Sequence, residues 1–380
     1  MQHPDLQAEL LAWMLAWQQG DPGAQDVDGS RFERLALAVF AWQFEHIAPF
    51  AAFCAAQGRV PGVVQRAADI ALVPVSAFQM AELSTPTAVA HPAAVFDTSG
   101  TTSGRPGRVH LGSTALYDAS ARAAFGHFVV PDLLAQDRRV RCLSLVPSAQ
   151  ARPRSSLGHM VRQLMARWDD GHGAADLLGE QGLDSARLHL ALEQAVADAQ
   201  PVLIFATTLA LDLWLTQLQP AQRWSLPPGS RLMDTGGPKG RVLELDRPAQ
   251  HAALAARLGL DPRLVVGELG MTELSSQRYE TNLRAALCGD CEGSRVYLGP
   301  PWLRARVLRP QDHAPCEVGQ TGMIGHIDLA NLDTCAFVLT ADLGCEVEVP
   351  GAGLGLQLAG RLPGSAFRGC GLDAERLILG

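Results

Sequence analysis

The chain has 380 residues, 47% of them hydrophobic and 18% charged, which suits a large core in one main domain with a smaller lobe. A net charge of -8 without any Lys/Arg cluster argues against a nucleic-acid surface. No Lys or Arg precedes Arg31, and the longest apolar runs, 71–77 and 202–206, fall well short of the roughly 20 residues that cross a bilayer. A cytoplasmic protein with reduced cysteines, no secretory signal and no membrane span is therefore expected.

Apolar residues recur at helical spacing over 5–18 (Leu6, Leu10, Leu11, Met14, Leu15) and 31–57 (Phe32, Leu35, Val39, Phe40, Phe44), predicting a helical lead-in. Short apolar runs at 94–97, 140–146, 201–205, 231–233 and 264–266 predict strands. Amphipathic stretches at 114–128, 156–168, 184–199, 207–218 and 248–258 predict helices among them. Such alternation is the pattern of an α/β layered core. Beyond about residue 290, the segments 304–308, 323–328, 336–340 and 346–349 are short and divided by Gly/Pro turns. The expected organisation is 1–290 as helical lead-in and α/β core, 291–365 as a mostly antiparallel β-rich lobe, and 366–380 as a C-terminal tail.

The strongest local signal is Phe96-Asp-Thr-Ser-Gly-Thr-Thr-Ser-Gly-Arg-Pro-Gly-Arg108. A strand-like approach enters a run of Ser, Thr and Gly. Glycines let backbone approach a polyanion, hydroxyls and free N–H groups donate to phosphate oxygens, and Arg105 and Arg108 add positive charge. It lacks the Gly-Lys-Ser/Thr ending of a Walker A loop. Lys239 is the one lysine among 31 basic residues and sits in the loop-like Asp234-Thr-Gly-Gly-Pro-Lys-Gly240, where a compact ammonium fits differently from a planar guanidinium; a solvated loop lysine is the plain reading. Cys288-Gly-Asp-Cys291 has zinc-knuckle spacing but no second pair at a standard interval, and Gly351-Ala-Gly-Leu-Gly355 lies in the β-rich region rather than at a strand-to-helix turn.

Thr98-Ser-Gly-Thr-Thr-Ser-Gly104 resembles the phosphate-binding motif of the adenylate-forming superfamily, which includes acyl-CoA synthetases. In the same order follow Gly270-Met-Thr-Glu273, similar to its Gly-x-Thr-Glu motif, Thr340-Ala-Asp342-Leu-Gly, similar to its Thr-Gly-Asp motif, and Gly360-Arg361, similar to its hinge. A narrower resemblance, to the LuxE-type acyl-protein synthetases of bacterial luminescence, rests on four segments. They are Glu268-Leu-Gly-Met-Thr-Glu-Leu-Ser-Ser-Gln277, Pro300-Pro-Trp-Leu-Arg304, Asp328-Leu-Ala-Asn-Leu-Asp333 and Arg368-Gly-Cys370.

The resemblance implies the large-domain fold of that superfamily, with ATP and Mg²⁺ as cofactors. In the loop Thr98 to Gly104, the residues Ser99, Gly100, Thr101, Thr102 and Gly104 would hold the β- and γ-phosphates, with Arg108 standing where a Lys is usual. Gly270 and Met271 open the motif in which Thr272 would donate to the α-phosphate and Glu273 would coordinate Mg²⁺. Gly236 and Gly237 would pass close to adenine, Asp342 would accept from the ribose hydroxyls, and Arg361 would lie near ribose or phosphate. The pattern departs at Leu269, where an aromatic is common, and at Ala341, in place of the motif's glycine. The sequence stops just after the hinge, so the mobile lobe that carries a catalytic lysine in full-length relatives is not expected, a truncation LuxE-type enzymes share. Lys239 is one candidate for its role.

Cys370 matches the family's acylated cysteine, and a thiolate beside Arg368 would be a strong nucleophile. The implied activity is conversion of a carboxylic acid, of the fatty-acid kind, to an acyl-adenylate and then to a protein thioester. Rival readings are a ligase for coenzyme A or a carrier-protein arm, and an inactive nucleotide-binding subunit. Residues 144–160 and the helix with Phe125, His127 and Phe128 are candidate walls for the acid.

Overall fold

The computed structural model describes residues 3–98, 106–236, 245–289 and 295–362. These residues form two compact units. Unit 1 comprises the described residues of Met1–Ala124, Met271–Arg278 and Val296–Ala366, and unit 2 those of Phe125–Gly270 and Tyr279–Arg295.

Unit 1 opens with α1 (His3–Gln18), α2 (Ser30–His46) and α3 (Ala48–Ala56). Leu6, Leu10, Trp13, Met14 and Trp17 share one face of α1 and are all buried. The expected helical stretch 31–57 is two helices bent by 109°, because Ile47 leaves helical geometry ahead of Pro49. Asp26 caps the start of α2, its carboxylate accepting from the N–H groups of Arg31 and Phe32 at 2.9 Å each. No single helix among the described residues is long and apolar enough to cross a membrane.

Next come β1 (Val73–Pro74), α4 (Pro86–Ala90), β2 (Ala94–Asp97), β3 (Arg108–Leu111) and α5 (Ala115–Phe128). The sequence grouped 94–97 with the α/β core strands. In the structure β2 instead pairs with β3 as a separate antiparallel hairpin, Ala94 opposite Leu111 and Asp97 opposite Arg108.

Unit 2 contains α6 (Pro131–Ala135), β4 (Arg141–Leu145), α7 (Ser156–Trp168), the small hairpin β5 (Leu178–Gly179) and β6 (Gly182–Leu183), and α8 (Ser185–Ala197). It continues through β7 (Val202–Thr207), α9 (Thr208–Gln217), β8 (Arg231–Thr235), α10 (Arg247–Leu258), β9 (Val265–Leu269), β10 (Arg278–Glu280) and α11 (Asn282–Cys288). Strands β4, β7, β8 and β9 run parallel in that spatial order, with Leu143 opposite Ile204 and Asp234 opposite Gly267. They are buried along nearly their whole length, which is why they read as continuous apolar runs. The helices start where capping side chains stand: Ser155 accepts from Gly158 N, Asp184 from Arg187 N and Asp246 from Ala249 N. Leu192, Leu211, Trp214 and Leu254 pack with Ile204 and Leu232 into the core.

The chain then completes unit 1 with β11 (Tyr297–Leu298), β12 (Leu303–Leu308), β13 (Gly322–Asp328), β14 (Phe337–Val349) and β15 (Gly353–Arg361). Strands β12 to β15 form an antiparallel sheet in sequence order, β11 adds to β15, and β1 pairs with β14 in parallel. The expected strands 336–340 and 346–349 are one long strand. A register shift between Leu343 and Gly344 lets it continue, and a Cβ at 344 would meet the Gln357 carbonyl oxygen at 2.5 Å. The Gly351-Ala-Gly-Leu-Gly355 segment forms the turn between β14 and β15 and the start of β15, with Gly351 and Gly353 in the left-handed region.

Candidate functional site

The hairpin β2–β3 is closed one step beyond its last strand pair, where Thr98 N donates to Gly107 O at 2.8 Å. This fixes both ends of the Ser/Thr/Gly loop; residues 99–105 lie outside the described residues. A Cβ at Gly107 would sit 2.2 Å from the Phe78 carbonyl oxygen and 2.9 Å from Thr98 Oγ1, so only glycine fits this approach. Thr98 is buried, and its hydroxyl has no hydrogen-bond partner among the described residues. Arg108 lies half-exposed with Nε 3.7 Å from the Asp97 carboxylate.

Against the end of this hairpin comes the turn after β9. Thr272 Oγ1 approaches Asp97 O at 3.5 Å, and Thr272 and Glu273 are both buried. Burial pushes the Glu273 carboxyl up to about 7; Arg361 pulls it back and Asp342 adds repulsion. Asp342 and Arg361 face each other across β14 and β15, with Arg361 Nε donating to Asp342 Oδ1 at 2.5 Å. Unit 1 thus gathers Thr98, Thr272, Glu273, Asp342 and Arg361, which come from four separate stretches of sequence. Met271 is part-buried in the same turn, whose backbone closes through Leu274 N to Met271 O at 3.1 Å.

Burial disfavours the charged form of this carboxyl more than Arg361 favours it, and a divalent cation would add the positive charge that favours the carboxylate. Among the described residues no group of three or more His, Cys, Asp or Glu side chains could hold a metal by itself. A single buried carboxylate instead suits Mg²⁺, which is commonly held by one or two carboxylates with water and substrate phosphates completing its shell.

The LuxE-like segments without an assigned role meet behind this turn. Trp302 Nε1 donates to Ser120 Oγ, Ser120 Oγ to Ser276 Oγ, and Ser276 Oγ to Asp328 Oδ1, at 2.8, 2.8 and 2.7 Å. Asp328 Oδ2 also accepts from Ser275 N at 2.9 Å and Ser276 N at 2.8 Å, and Oδ1 from Ala330 N at 3.1 Å. The Asn331 amide donates to Glu273 O at 2.7 Å and Cys335 O at 3.2 Å, and accepts from Ser275 Oγ at 2.5 Å. Two carbonyls on the same side require the NH₂ group there, which assigns the amide's orientation.

Unit 2 holds Gly236 and Gly270. Gly236 has φ 86°, a left-handed conformation that favours glycine at the exit of β8. Beneath it, the fully buried Asp234 accepts from Thr208 Oγ1 at 2.7 Å, Arg247 Nε at 2.9 Å and His251 Nε2 at 2.8 Å. Burial raises its carboxyl, but these partners outweigh it and hold it below the usual range. Arg295 donates to His251 Nδ1 at 2.9 Å, which places the imidazole proton on Nε2, and to Glu280 at 2.8 Å. Sequence reasoning missed this network; its only local sign was Asp234 at the end of an apolar run. Gly237, Lys239 and Cys370 lie outside the described residues, as do Ser99, Gly100, Thr101, Thr102 and Gly104.

A cavity of about 350 Å³ opens within unit 2 where β4 ends, lined by Val146, Pro147, Val161, Met165, Arg162 and Asp176 among others. It takes in much of the segment 144–160. Phe125 and Phe128, the other candidate walls, do not line it. They are core residues stacked with Phe205 and Tyr279, and burial drives His127 down to about 3.

No protein-family model matches the chain. A long-chain-fatty-acid–luciferin-component ligase of Aliivibrio fischeri is 31% identical over 83 residues, which is 21% of this chain and 22% of that one. A crystal structure of 2-hydroxyisobutyryl-CoA ligase with 2-HIB-AMP and CoA matches with TM-score 0.62 at 17% identity, covering 86% of this chain and 66% of that one. An open conformation of the same ligase gives TM-score 0.59 at 16% identity, over 87% and 75%. The chain spans less than two thirds of the first of these ligase structures and matches about a fifth of the luciferin-component ligase. The chain shares the fold of the adenylate-forming ligases.

Proposed function

We propose that the protein activates a carboxylic acid with ATP and Mg²⁺ as an acyl-adenylate and transfers the acyl group to a thiol, Cys370 being the first acceptor. The observation that carries this reading is the convergence of Thr98, Thr272, Glu273, Asp342 and Arg361 in unit 1, in the order and types that an adenylating site requires. The shared fold and the partial likeness to a fatty-acid ligase support it.

A carboxylate resists nucleophiles because of its negative charge. Its oxygen attacks the α-phosphorus of ATP, the bond to pyrophosphate breaks, and the mixed anhydride leaves AMP as a good leaving group. The thiolate then attacks the acyl carbon and AMP departs. Catalysis is positioning and neutralisation of phosphate charge. Thr272 donates to the α-phosphate oxygen, residues 98–104 cradle the outer phosphates, and the Asp342–Arg361 pair orients the ribose. Glu273 would hold Mg²⁺, and the cation would supply positive charge against the phosphate oxygens. The cavity bounded by Val146, Pro147, Val161 and Met165 receives the acyl chain.

The test is acid-dependent exchange of pyrophosphate into ATP over a panel of acids, followed by intact mass with and without hydroxylamine. Wild-type protein should acquire a hydroxylamine-labile acyl group on the peptide 362–380. Cys370→Ala should keep exchange and lose the adduct. Burial pushes the thiols of Cys54 and Cys335 up to about 12, so they are inert controls, whereas Cys288 is exposed and peptide mapping must exclude it. Thioester on added coenzyme A or a carrier arm, unchanged in Cys370→Ala, would make the chain a plain thioester ligase; no exchange with any acid would leave a nucleotide-binding subunit.

A further inference from the structure

We infer that Asn331 and Asp328 are positioning residues for the metal-binding carboxylate, fixing the Thr272–Glu273 turn so that Glu273 meets Mg²⁺ already oriented. This rests on the functional reading above. The turn has little regular structure of its own; between β9 and β10 the chain passes through residues 270–277 outside any helix or strand, and Leu274 N donates to Met271 O. Its conformation is imposed from the segment 328–331 through side chains bonded to its main chain. Asn331 holds the carbonyl of Glu273 itself, and Asp328 holds the amides of Ser275 and Ser276.

Both side chains are fully buried, so neither can trade these bonds for water. Each is in turn fixed. Asp328 ends the relay Trp302–Ser120–Ser276, and the backbone carbonyl of Asn331 accepts from the Gln43 side-chain amide at 2.7 Å. A buried Leu at 331 would cover comparable area; what a polar residue adds is direction, because a carbonyl and a hydroxyl must be met at set angles. A metal carboxylate backed in this way is pre-set, and removal of such backing typically weakens metal binding by about 10–100-fold.

The test measures binding of a fluorescent ATP analogue to the full chain as Mg²⁺ is titrated, without any acid present. The variants are Asn331→Asp, which keeps shape but removes the donor to Glu273 O, and Ser275→Ala, a milder change should Asn331→Asp not fold. The Mg²⁺ concentration at half-maximal binding should rise about tenfold in Asn331→Asp and about threefold in Ser275→Ala, measured well below each variant's melting temperature. Lowered melting temperatures with an unmoved Mg²⁺ midpoint in the folded variants would overturn the inference and leave the functional reading standing. Failure of the wild-type protein to bind the analogue at any Mg²⁺ concentration would overturn both.

Discussion

Glu273 carries the sharpest test at the scale of one side chain. Its carboxyl titrates at about 7 when folded, against 4.5 for the free side chain, because burial disfavours the charge. The difference corresponds to roughly 3 kcal/mol against the carboxylate. Between those two values the folded chain holds a proton that the unfolded chain has released, so stability falls as pH rises from about 4.5 to 7 and then levels. Glu273→Gln should therefore melt several degrees above wild type at pH 8 and only slightly above it at pH 5, while losing Mg²⁺-dependent pyrophosphate exchange. Equal melting shifts at both pH values would show that the carboxyl is not so displaced. The residue was legible in Gly270-Met-Thr-Glu273 by resemblance. Asn331, which holds its carbonyl, was legible only as part of a motif without a role, because a side chain that serves another residue's backbone leaves no periodicity or charge pattern of its own.

Elements followed the sequence where one physical signal dominated. The parallel strands read correctly because two buried faces require unbroken apolar runs, and α7, α8 and α10 began at their capping side chains. The reading went astray where tertiary pairing decided. The stretch 94–97 has the composition of a core strand but turns back on β3, and a glycine bulge carries β14 through a segment that looks like a turn. Within β13, burial and the neighbouring Arg278 drive His326 down to about 3. The unfolded chain takes up this proton near 6.5 and the folded chain refuses it until about 3, so its contribution is intact above 6.5 and is lost as pH falls. At pH 5 the loss amounts to about 2 kcal/mol. The sign is opposite to that of Glu273, so the comparison must be made variant by variant. The urea midpoint of His326→Gln should fall less between pH 7 and pH 5 than that of wild type, and an identical fall would remove the histidine from the explanation.

For the whole molecule, the residues proposed for the phosphates, Mg²⁺ and ribose belong to unit 1, while Gly236 and the cavity proposed for the acid belong to unit 2. ATP with Mg²⁺ at about 100 times its dissociation constant should stabilise the protein by roughly 2.7 kcal/mol. In hydrogen exchange the protection should be greatest over 271–278 and around Asp342 in unit 1. A carboxylic acid that is a substrate should add protection over 146–165 in unit 2. If nucleotide left 271–278 unchanged while protecting only unit 2, the site would have to be sought there.

Gln43 sits in the middle of α2, fully buried, its amide donating to the carbonyls of Asn331, Leu332 and Thr334 and accepting from Ala336 N. The last of these partners lies 293 residues further along the chain. At a synthesis rate of about 5–20 residues per second, α2 emerges from the ribosome on the order of 15–60 s before Ala336 exists. During that time water alone meets the Gln43 amide, and the buried face of α2 has no such segment to pack against. Unit 2, by contrast, draws its four parallel strands from one nearly continuous stretch and can close while translation proceeds. In pulse-labelling hydrogen exchange during refolding, the strands of unit 2 are therefore expected to gain protection before α2, and simultaneous protection would remove this order.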